Sequence, residues 1–331
     1  MRSDAQASAT FHHFWNLHTP LPPVSVTSKL SPTSPLRLTE STTTNETLPE
    51  KTILYLAYGS NLSAETFTGN RGIKPLSAVN VHVPSLDLTF DLPGIPYTEP
   101  CFANTRYRKS LPSDSDYHKD RWHKGLIGVV YEVTPEDYRT IIATEGGGAS
   151  YQDVVVPCYP IPHGMKGVNP QPSGTPFKAH TLFAPSDNSS GRTSISRPDP
   201  SYAQASARYL KLITDGAEEH ELPAEYLAYL YNLRPYTITT YKQTIGQALF
   251  LAAWFPIVLF LFGLARTTAD EKGKIPKWLI KIQGVVFRLL WVSYDMAFQK
   301  VFGDGERTMR ESNDEEAVIE TGWREKSIRL G

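Results

Sequence analysis

One run of the chain, from Thr244 to Ala265, contains no charged residue over 22 positions. A helix needs about 20 consecutive apolar residues to cross the hydrocarbon core of a bilayer, so this run is long enough to span a membrane. The alternative is a buried core helix, which would be unusually long and apolar on every side. Pro256 would kink a spanning helix without forbidding it. We therefore expect residues 244–265 to associate with a membrane.

A second apolar stretch, from Trp278 to Phe302, is interrupted by Lys281, Arg288 and Asp295. These three charges recur every seven residues and therefore share one face of a helix. That pattern is typical of a helix lying in the membrane interface. A second span that returns to the starting side would fit the same residues. Residues 278–302 are thus a second candidate membrane segment.

The charges between these two segments leave the membrane topology open. Lys272, Lys274 and Lys277 follow the first run, and the positive-inside rule alone would place them in the cytoplasm and the preceding domain outside it. A shallow hairpin would keep both ends on one side. No apolar run of a secretory signal follows Met1, and the chain has only two cysteines, as in a reducing compartment. We expect a membrane-associated protein whose folded domain, before these segments, faces the cytoplasm.

Composition divides the chain into four parts. Residues 1–50 are rich in Ser, Thr and Pro, and we expect this polar tail to be disordered. Residues 51–241 have the pattern of a folded domain, residues 242–303 hold the apolar helices, and residues 304–331 form a polar tail. Lys and Arg number 33 against 34 Asp and Glu, a balance that gives no indication of a nucleic-acid partner.

Within the folded domain, strand-like segments come first and helical segments follow. Alternating or β-branched runs predict strands at 53–58, 79–92, 126–133, 151–159 and 177–183. Two helices are expected at 202–213 and 224–233, separated by Gly216 and Pro223. This order predicts an α+β domain with a largely antiparallel or mixed sheet.

The first strand runs into a turn in the sequence Tyr55-Leu56-Ala57-Tyr58-Gly59-Ser60-Asn61-Leu62. Gly59 lets the backbone approach a ligand or another backbone closely, and Ser63 is a good N-cap for the helical turn that follows. N–H groups at such a turn and helix start favour a carboxylate. An ordinary tight turn would use the same residues.

A carboxylate precedes three glycines in the sequence Thr144-Glu145-Gly146-Gly147-Gly148, between a helical stretch and a strand. A single glutamate before such a loop is usually a solvated residue. A glutamate in a partly desolvated pocket can instead exchange protons near neutral pH.

Together, in this order and spacing, these segments resemble the γ-glutamylcyclotransferase family over roughly residues 52–240. The matching segments are Tyr55–Leu62, Gly128-Val129-Val130-Tyr131-Glu132-Val133, Glu145-Gly146, Tyr151-Gln152-Asp153-Val154, Pro200-Ser201-Tyr202 and Leu222-Pro223-Ala224-Glu225-Tyr226. The resemblance implies an α+β fold, a γ-glutamylcyclotransferase-like mixed β-barrel with flanking helices. The C-terminal membrane-associated helices would be an addition to that pattern.

The resemblance also implies a reaction, the release of 5-oxoproline from γ-glutamyl peptides or glutathione adducts. Glu145 matches the one essential glutamate of the family. It would take a proton from the attacking α-amine and give one to the leaving amine. Ring closure is intramolecular, so positioning supplies much of the rate. We expect neither a metal nor a cofactor.

The resemblance assigns a substrate-binding role to the turn after the first strand. The expected binding residues are Tyr58, Gly59, Ser60, Asn61, Leu62 and Tyr151. N–H groups of the turn, at positions 59–61, would hold the substrate and a developing oxyanion. Tyr151 matches a family tyrosine near the substrate, although an aromatic residue at a strand start has an equally ordinary packing role.

Two features depart from the ordinary family pattern. Family members often have a tyrosine in the strand that corresponds to Ala179-His180-Thr181-Leu182, and none stands here. The Ser/Thr/Pro-rich tail and the C-terminal extension resemble fungal members, some of which belong to pathways for sulfur-bridged dioxopiperazine toxins (the epipolythiodioxopiperazines). That resemblance implies a glutathione adduct as substrate.

Two other functions remain open from the sequence. One is a non-catalytic module that binds γ-glutamyl or carboxylate groups without turning them over. The other is a membrane-associated acyl or aminoacyl transfer protein on the same scaffold, which would release the amino compound without forming 5-oxoproline.

Overall fold

The structure is a computed structural model that describes residues 30–43, 52–108, 122–144, 152–184, 197–199, 201–268 and 275–309. Two residues expected in the site, Glu145 and Tyr151, lie outside the described residues. So do residues 1–29 of the N-terminal tail and residues 310–331 of the C-terminal tail.

Five strands close into a barrel in the spatial order β1-β5-β2-β6-β7. These strands are β1 (Ile53–Ala57), β2 (Ser77–Val83), β5 (Leu126–Val133), β6 (Gln152–Pro160) and β7 (Phe177–Phe183). Neighbouring strands pair antiparallel, except that β1 and β7 run parallel and meet at Tyr55 and His180. The closed mixed sheet confirms the predicted fold class.

A two-stranded sheet lies outside the barrel order and was only partly predicted. The run expected as one strand at 79–92 is divided, because Pro84 lacks an N–H group for strand pairing. β3 (Leu86–Ile95) then pairs antiparallel with β4 (Glu99–Tyr107). β4 escapes the sequence criteria, because Asn104 and Thr105 interrupt its apolar pattern, yet both are almost completely buried.

The helices are α1 (Pro35–Thr43), α2 (Pro135–Thr144), α3 (Ala207–Glu219), α4 (Ala224–Tyr231), α5 (Tyr241–Thr268), α6 (Lys277–Ser293) and α7 (Gln299–Phe302). Helix α3 starts later than expected, because Ser206 caps it by accepting the N–H of Tyr209 at 3.0 Å. It also continues through Gly216, which was expected to lie between helices.

The two faces of the closed sheet differ in character. One face packs apolar side chains such as Leu56, Val81 and Val130, each 0% exposed. Burying such surface stabilises the fold by about 25 cal/mol per Å². On the other face, Phe67 stacks on both Tyr55 and Tyr131, with ring-centroid distances of 6.1 and 4.4 Å. That second face carries the polar residues of the candidate site.

Residues 30–43 differ from the expected disordered tail. Helix α1 forms here, and Thr33 Oγ1 lies 2.9 Å from Ser77 Oγ of β2. Arg37 Nη2 donates to Thr52 O at 2.6 Å, and Arg37 Nε lies 3.5 Å from the Glu132 carboxylate. These contacts to the barrel offset the ordering entropy that a tail of this composition would otherwise not recover.

Helices α5 and α6 pack antiparallel beside the barrel. Phe250 packs on Phe298 with a ring-centroid distance of 5.0 Å, and one turn later Trp254 Nε1 donates to Ser293 Oγ at 3.0 Å. Among the described residues, one helix, at Tyr241–Ala265, is long and apolar enough by length and composition to cross a membrane. We call α5 and α6 the helical hairpin.

Candidate active site

The predicted substrate loop, residues 58–62, follows the end of β1. Ser60–Leu62 form a 3₁₀ turn. Gly59 precedes it in a crowded position, where a Cβ would lie 3.2 Å from Tyr209 Oη and 3.3 Å from Ala103 Cβ. A larger residue would displace these neighbours, so the close approach of the loop to α3 and β4 depends on glycine.

Two side chains of the loop hold it against the barrel. Tyr58 Oη donates to Leu182 O of β7 at 2.8 Å, and Asn61 Nδ2 donates to Tyr55 Oη at 2.9 Å. Tyr58 and Asn61 are 7% and 5% exposed, so both hydrogen bonds are shielded from water. The side chain of Leu62 is buried in the core. These predicted binding residues thus position the loop with their side chains.

Helix α3 supports the end of the loop. Its backbone approaches most closely at Gly216, where a Cβ would lie 2.3 Å from Leu62 C and 2.4 Å from Ser63 N. Glu219, at the end of α3, accepts the N–H of Ala64 at 2.8 Å. Burial raises the pKa of Glu219, and the hydrogen bond from Ala64 opposes that shift. Helix α3 therefore fixes the point where the 3₁₀ turn ends.

A buried tyrosine and histidine hold the carbonyl of Leu62. Tyr131 Oη donates to Leu62 O at 3.1 Å and lies 2.7 Å from His220 Nε2. This donation leaves Tyr131 Oη to accept from His220, which assigns the Nε2–H tautomer. Burial, with a smaller contribution from nearby His163, lowers the pKa of His220 to about 4. Burial also raises the pKa of Tyr131, so both groups hold the loop in their neutral forms.

A further polar group lies on the same face, between β6, β7 and α2. His180 Nδ1 lies 2.9 Å from Asp153 Oδ1, and the His180 ring contacts the Tyr138 ring at a centroid distance of 5.5 Å. Tyr138 also contacts Tyr55, the acceptor of the Asn61 hydrogen bond, at 6.1 Å. Burial and the neighbouring Asp153 raise the pKa of Tyr138. The sequence analysis did not predict this group. The one sign of it in the sequence is that the strand around His180 lacks the tyrosine that family members often have there.

The predicted catalytic residue, Glu145, directly follows the last described residue of α2, and the predicted binding residue Tyr151 directly precedes β6. At the end of α2, just before Glu145, Arg71 Nη1 donates to Thr144 Oγ1. Tyr138 and Asp153 belong to these same two elements, α2 and β6. Both elements that flank Glu145 in the chain therefore have side chains on the same face of the barrel as Tyr55, which contacts the substrate loop.

Comparisons with known proteins cover both parts of the chain. A family model described as AclK C-terminal domain matches residues 240–301, the helical hairpin and most of α7. A solved structure described as a gamma-glutamyl cyclotransferase aligns at 19% identity with a TM-score of 0.40, covering 57% of this chain and 92% of that chain.

Two relatives match most of their own length. Gamma-glutamyl cyclotransferase aclK of Aspergillus oryzae is 30% identical over 263 residues, which are 78% of this chain and 91% of that protein. Gamma-glutamyl cyclotransferase gliK of Aspergillus fumigatus is 35% identical over 263 residues, 78% of this chain and 90% of that protein. With this identity sustained over nearly the whole of a relative, the chain belongs to the γ-glutamyl cyclotransferase family.

Proposed function

We propose that this protein converts a γ-glutamyl compound into 5-oxoproline and a free amine. The α-amine nitrogen attacks the γ-carbonyl carbon, and the bond between that carbon and the leaving nitrogen breaks. One proton leaves the attacking amine and one reaches the leaving amine, so no water is consumed. The observation that carries the proposal is the loop at residues 58–62, which buried hydrogen bonds hold against the barrel in a chain that belongs to the family.

We assign the proton transfer to Glu145. A single carboxylate can accept the proton from the attacking amine and return it to the leaving amine if its pKa lies near the working pH. Its support here is its place in the chain, between α2 and β6, whose side chains share a face with Tyr55.

We assign substrate binding to the backbone of the loop, with Gly59, Ser60 and Asn61 directing N–H groups at a carboxylate or at the developing oxyanion. The segment 58–62 contains no charged side chain, so it would recognise an anion through backbone dipoles. Tyr58 and Leu62 hold the loop in place, and Tyr151 would orient the substrate. The buried anchors matter because a donor placed before the reaction costs no reorganisation during it.

We propose glutathione adducts as the substrates, and a role in fungal toxin formation. The relatives from two Aspergillus species support the reaction class. The helical hairpin supports the adduct, because a bulky apolar adduct partitions into lipid and a membrane-bound enzyme would meet it there.

We also propose that residues 244–265 and 278–302 bind the protein to a membrane, with the catalytic domain, residues 51–241, in the cytoplasm. The support is the helix at Tyr241–Ala265, because only 17% of its most apolar 18-residue window is buried. A soluble core helix of that composition would be largely covered by the fold.

The test uses the full chain with three substrates, γ-glutamyl-alanine, glutathione and a glutathione S-conjugate, and detects 5-oxoproline by mass spectrometry. We expect Glu145→Gln to lower the rate by about 10²-fold to 10⁴-fold. Glu136→Gln is the matched control, because Glu136 is a carboxylate in the first turn of α2, the helix that precedes Glu145 in the chain. It should retain the parent rate.

Each alternative function has its own signature in this experiment. Binding of the substrates by the folded parent without turnover would identify a non-catalytic module. Release of the amine without 5-oxoproline would identify a transfer reaction. Full activity of Glu145→Gln would remove this residue from the mechanism.

A further inference from the structure

The helical hairpin exposes apolar side chains along both of its helices. On α6 and the turn that follows it, one stripe of six exposed residues recurs at helical spacing: Trp278, Ile282, Val285, Leu289, Val292 and Met296. On α5, Leu249 and Phe260 are 50% and 69% exposed. A monomer in water rarely leaves so continuous an apolar surface uncovered.

The hairpin leaves the catalytic domain and returns to it. Tyr97 N, between β3 and β4, donates to Gly305 O at 2.7 Å, and Gln204 N donates to Glu306 O at 2.8 Å. At the start of α5, Gln243 Nε2 donates to Asp304 O at 2.7 Å. Both ends of the hairpin therefore lie at the same side of the catalytic domain.

Charged residues beside the stripe decide how deep the hairpin can lie. Lys281 and Arg288 lie on α6, next to residues of the apolar stripe. If α6 crossed a bilayer, Arg288 would lie within the hydrocarbon, where a charged side chain is costly to bury. In the interface, the same side chain reaches the headgroups while the stripe meets the acyl chains. Since α5 packs antiparallel against α6, an α5 that crossed the bilayer would carry α6 across it as well.

We propose that the hairpin lies flat in one surface of an anionic membrane and does not cross it. This inference rests on the membrane association in the proposed function and adds its geometry. The catalytic domain, the tip of the hairpin near Thr267 and residues 303–309 all remain on one side. Helix α5 would then lie in the interface, although its length of 28 residues is sufficient to span.

The charges favour lipid over a second copy of the chain as the occupant of this face. Lys277, Lys281 and Arg288 are distributed along α6. A symmetric dimer in which the two stripes pack parallel would bring these three cations toward the same three cations of its partner. An anionic lipid surface would instead attract each of them.

The first experiment measures binding of the full chain to vesicles of phosphatidylcholine, with and without phosphatidylserine, by co-sedimentation. We expect tighter binding when phosphatidylserine is present. The double substitution Val285→Glu and Leu289→Glu should weaken binding at least about tenfold, because two charges enter the apolar stripe. Leu76→Glu is the matched control, since Leu76 is 50% exposed on the catalytic domain.

The 5-oxoproline assay distinguishes a failure of the hairpin inference from a failure of the proposed reaction. With γ-glutamyl-alanine as a soluble substrate, the double variant should keep the parent rate. An active parent that ignores both kinds of vesicle would overturn the hairpin inference and leave the reaction standing. A lipid-free dimer that the double variant dissociates, without any vesicle binding, would identify a second copy as the occupant.

The second experiment tests the depth with a membrane-impermeant maleimide on bound protein. The two native cysteines, Cys101 and Cys158, are buried, and burial raises the pKa of each thiol, so they provide a silent background. We expect Thr267→Cys, at the exposed end of α5, to react in intact vesicles as completely as Gln171→Cys on the catalytic domain. Reaction of Thr267→Cys only after detergent is added would show a spanning hairpin and refute the flat arrangement.

Discussion

The barrel buries its apolar side chains, whereas the helical hairpin exposes many of its own. In the barrel, Leu56 and Val130 are 0% exposed, but Phe260 and Val285 of the hairpin are 69% and 56% exposed. The polar side chains are also placed differently in the two regions. The barrel carries a buried hydrogen-bond network under the substrate loop, while the polar contacts of the hairpin gather where it joins the domain.

With the proposed membrane association, the two regions would be stabilised by different surroundings. The barrel recovers its ordering entropy from its own core. The hairpin and the residues that follow it have a small buried cluster around Phe250, Trp291 and Tyr294, and the membrane that we propose would cover the outer surface of the hairpin. Substitutions of the same chemical kind should therefore have different consequences in the two regions.

The largest expected effect concerns the junction of the two regions. Arg197 Nη2 contacts Asp295 Oδ1 at 2.8 Å and Glu306 Oε2 at 2.6 Å, and the Glu306 side chain is 4% exposed. Arg197→Met should lower the free energy of unfolding by about 3–5 kcal/mol, because it leaves a buried carboxylate without its cation. Urea unfolding measures this loss.

The matched control for the junction is Lys211→Met. Lys211 contacts Asp215 one turn along α3, and its side chain is 71% exposed. Its removal should cost less than about 1 kcal/mol. Equal losses for both variants would mean that the junction is no stronger than a surface ion pair.

The next effect belongs to the barrel and depends on pH. The pKa of His220 falls from 6.5 to about 4 on folding, because burial disfavours the imidazolium. The unfolded chain binds this proton more readily, so the stabilising contribution is complete above about pH 6.5 and is lost as pH falls toward 4. The loss amounts to about 3 kcal/mol.

Urea unfolding at several pH values, compared between the parent and His220→Asn, isolates this contribution from that of the carboxylates. We expect the parent to lose stability more steeply than the variant below pH 6.5. Parallel curves for the two proteins would contradict a neutral buried His220.

A smaller effect compares two helical glycines. Gly216→Ala places a methyl group against the backbone of Leu62 and Ser63, so it should destabilise the fold by about 1–3 kcal/mol and lower kcat/KM by displacing the loop. At Gly263 of α5, apart from its chain neighbours and the backbone of its own helix, no atom of the described residues lies within 4 Å of the position that an added methyl group would take. Gly263→Ala should therefore be neutral or stabilising by up to about 1 kcal/mol. Thermal unfolding and the 5-oxoproline assay distinguish the pair.

The smallest effect compares one hydrogen bond in each region. Tyr55→Phe removes the acceptor of Asn61 Nδ2, and Ser293→Ala removes the acceptor of Trp254 Nε1. Each should cost about 1 kcal/mol of stability. Only Tyr55→Phe should also lower kcat/KM for γ-glutamyl-alanine, because it alone loosens the loop. A loss of activity in Ser293→Ala would show that the hairpin supports the site directly.

Local patterns in the sequence predicted much of the fold. The strands at 126–133 and 177–183 have the predicted bounds, because β-branched and alternating residues continue to their ends. β4 could not be predicted in the same way, since Asn104 is buried through hydrogen bonds to Asp91 and Ala184 rather than through apolar contacts.

The loop at residues 58–62 was predicted from its sequence, but its supports were not. Tyr58 is held by Leu182, and Ala64 by Glu219, across more than a hundred residues of chain. Contacts of that range depend on the closed barrel and on the close approach at Gly216, neither of which has a local signature. For the same reason, no local pattern predicts that residues 303–309 return to the domain.

That return has a consequence for how the hairpin could be removed. Gln243, at the start of α5, donates to Asp304 O just after α7, so the chain enters and leaves the hairpin at nearly one place. In the chain the hairpin is an extension, but in space it is an insertion with closely spaced ends. Deleting the residues between 242 and 303 and joining these two by a short linker would remove the hairpin as one unit. Residues 304–309 would keep their contacts with Tyr97 and Gln204.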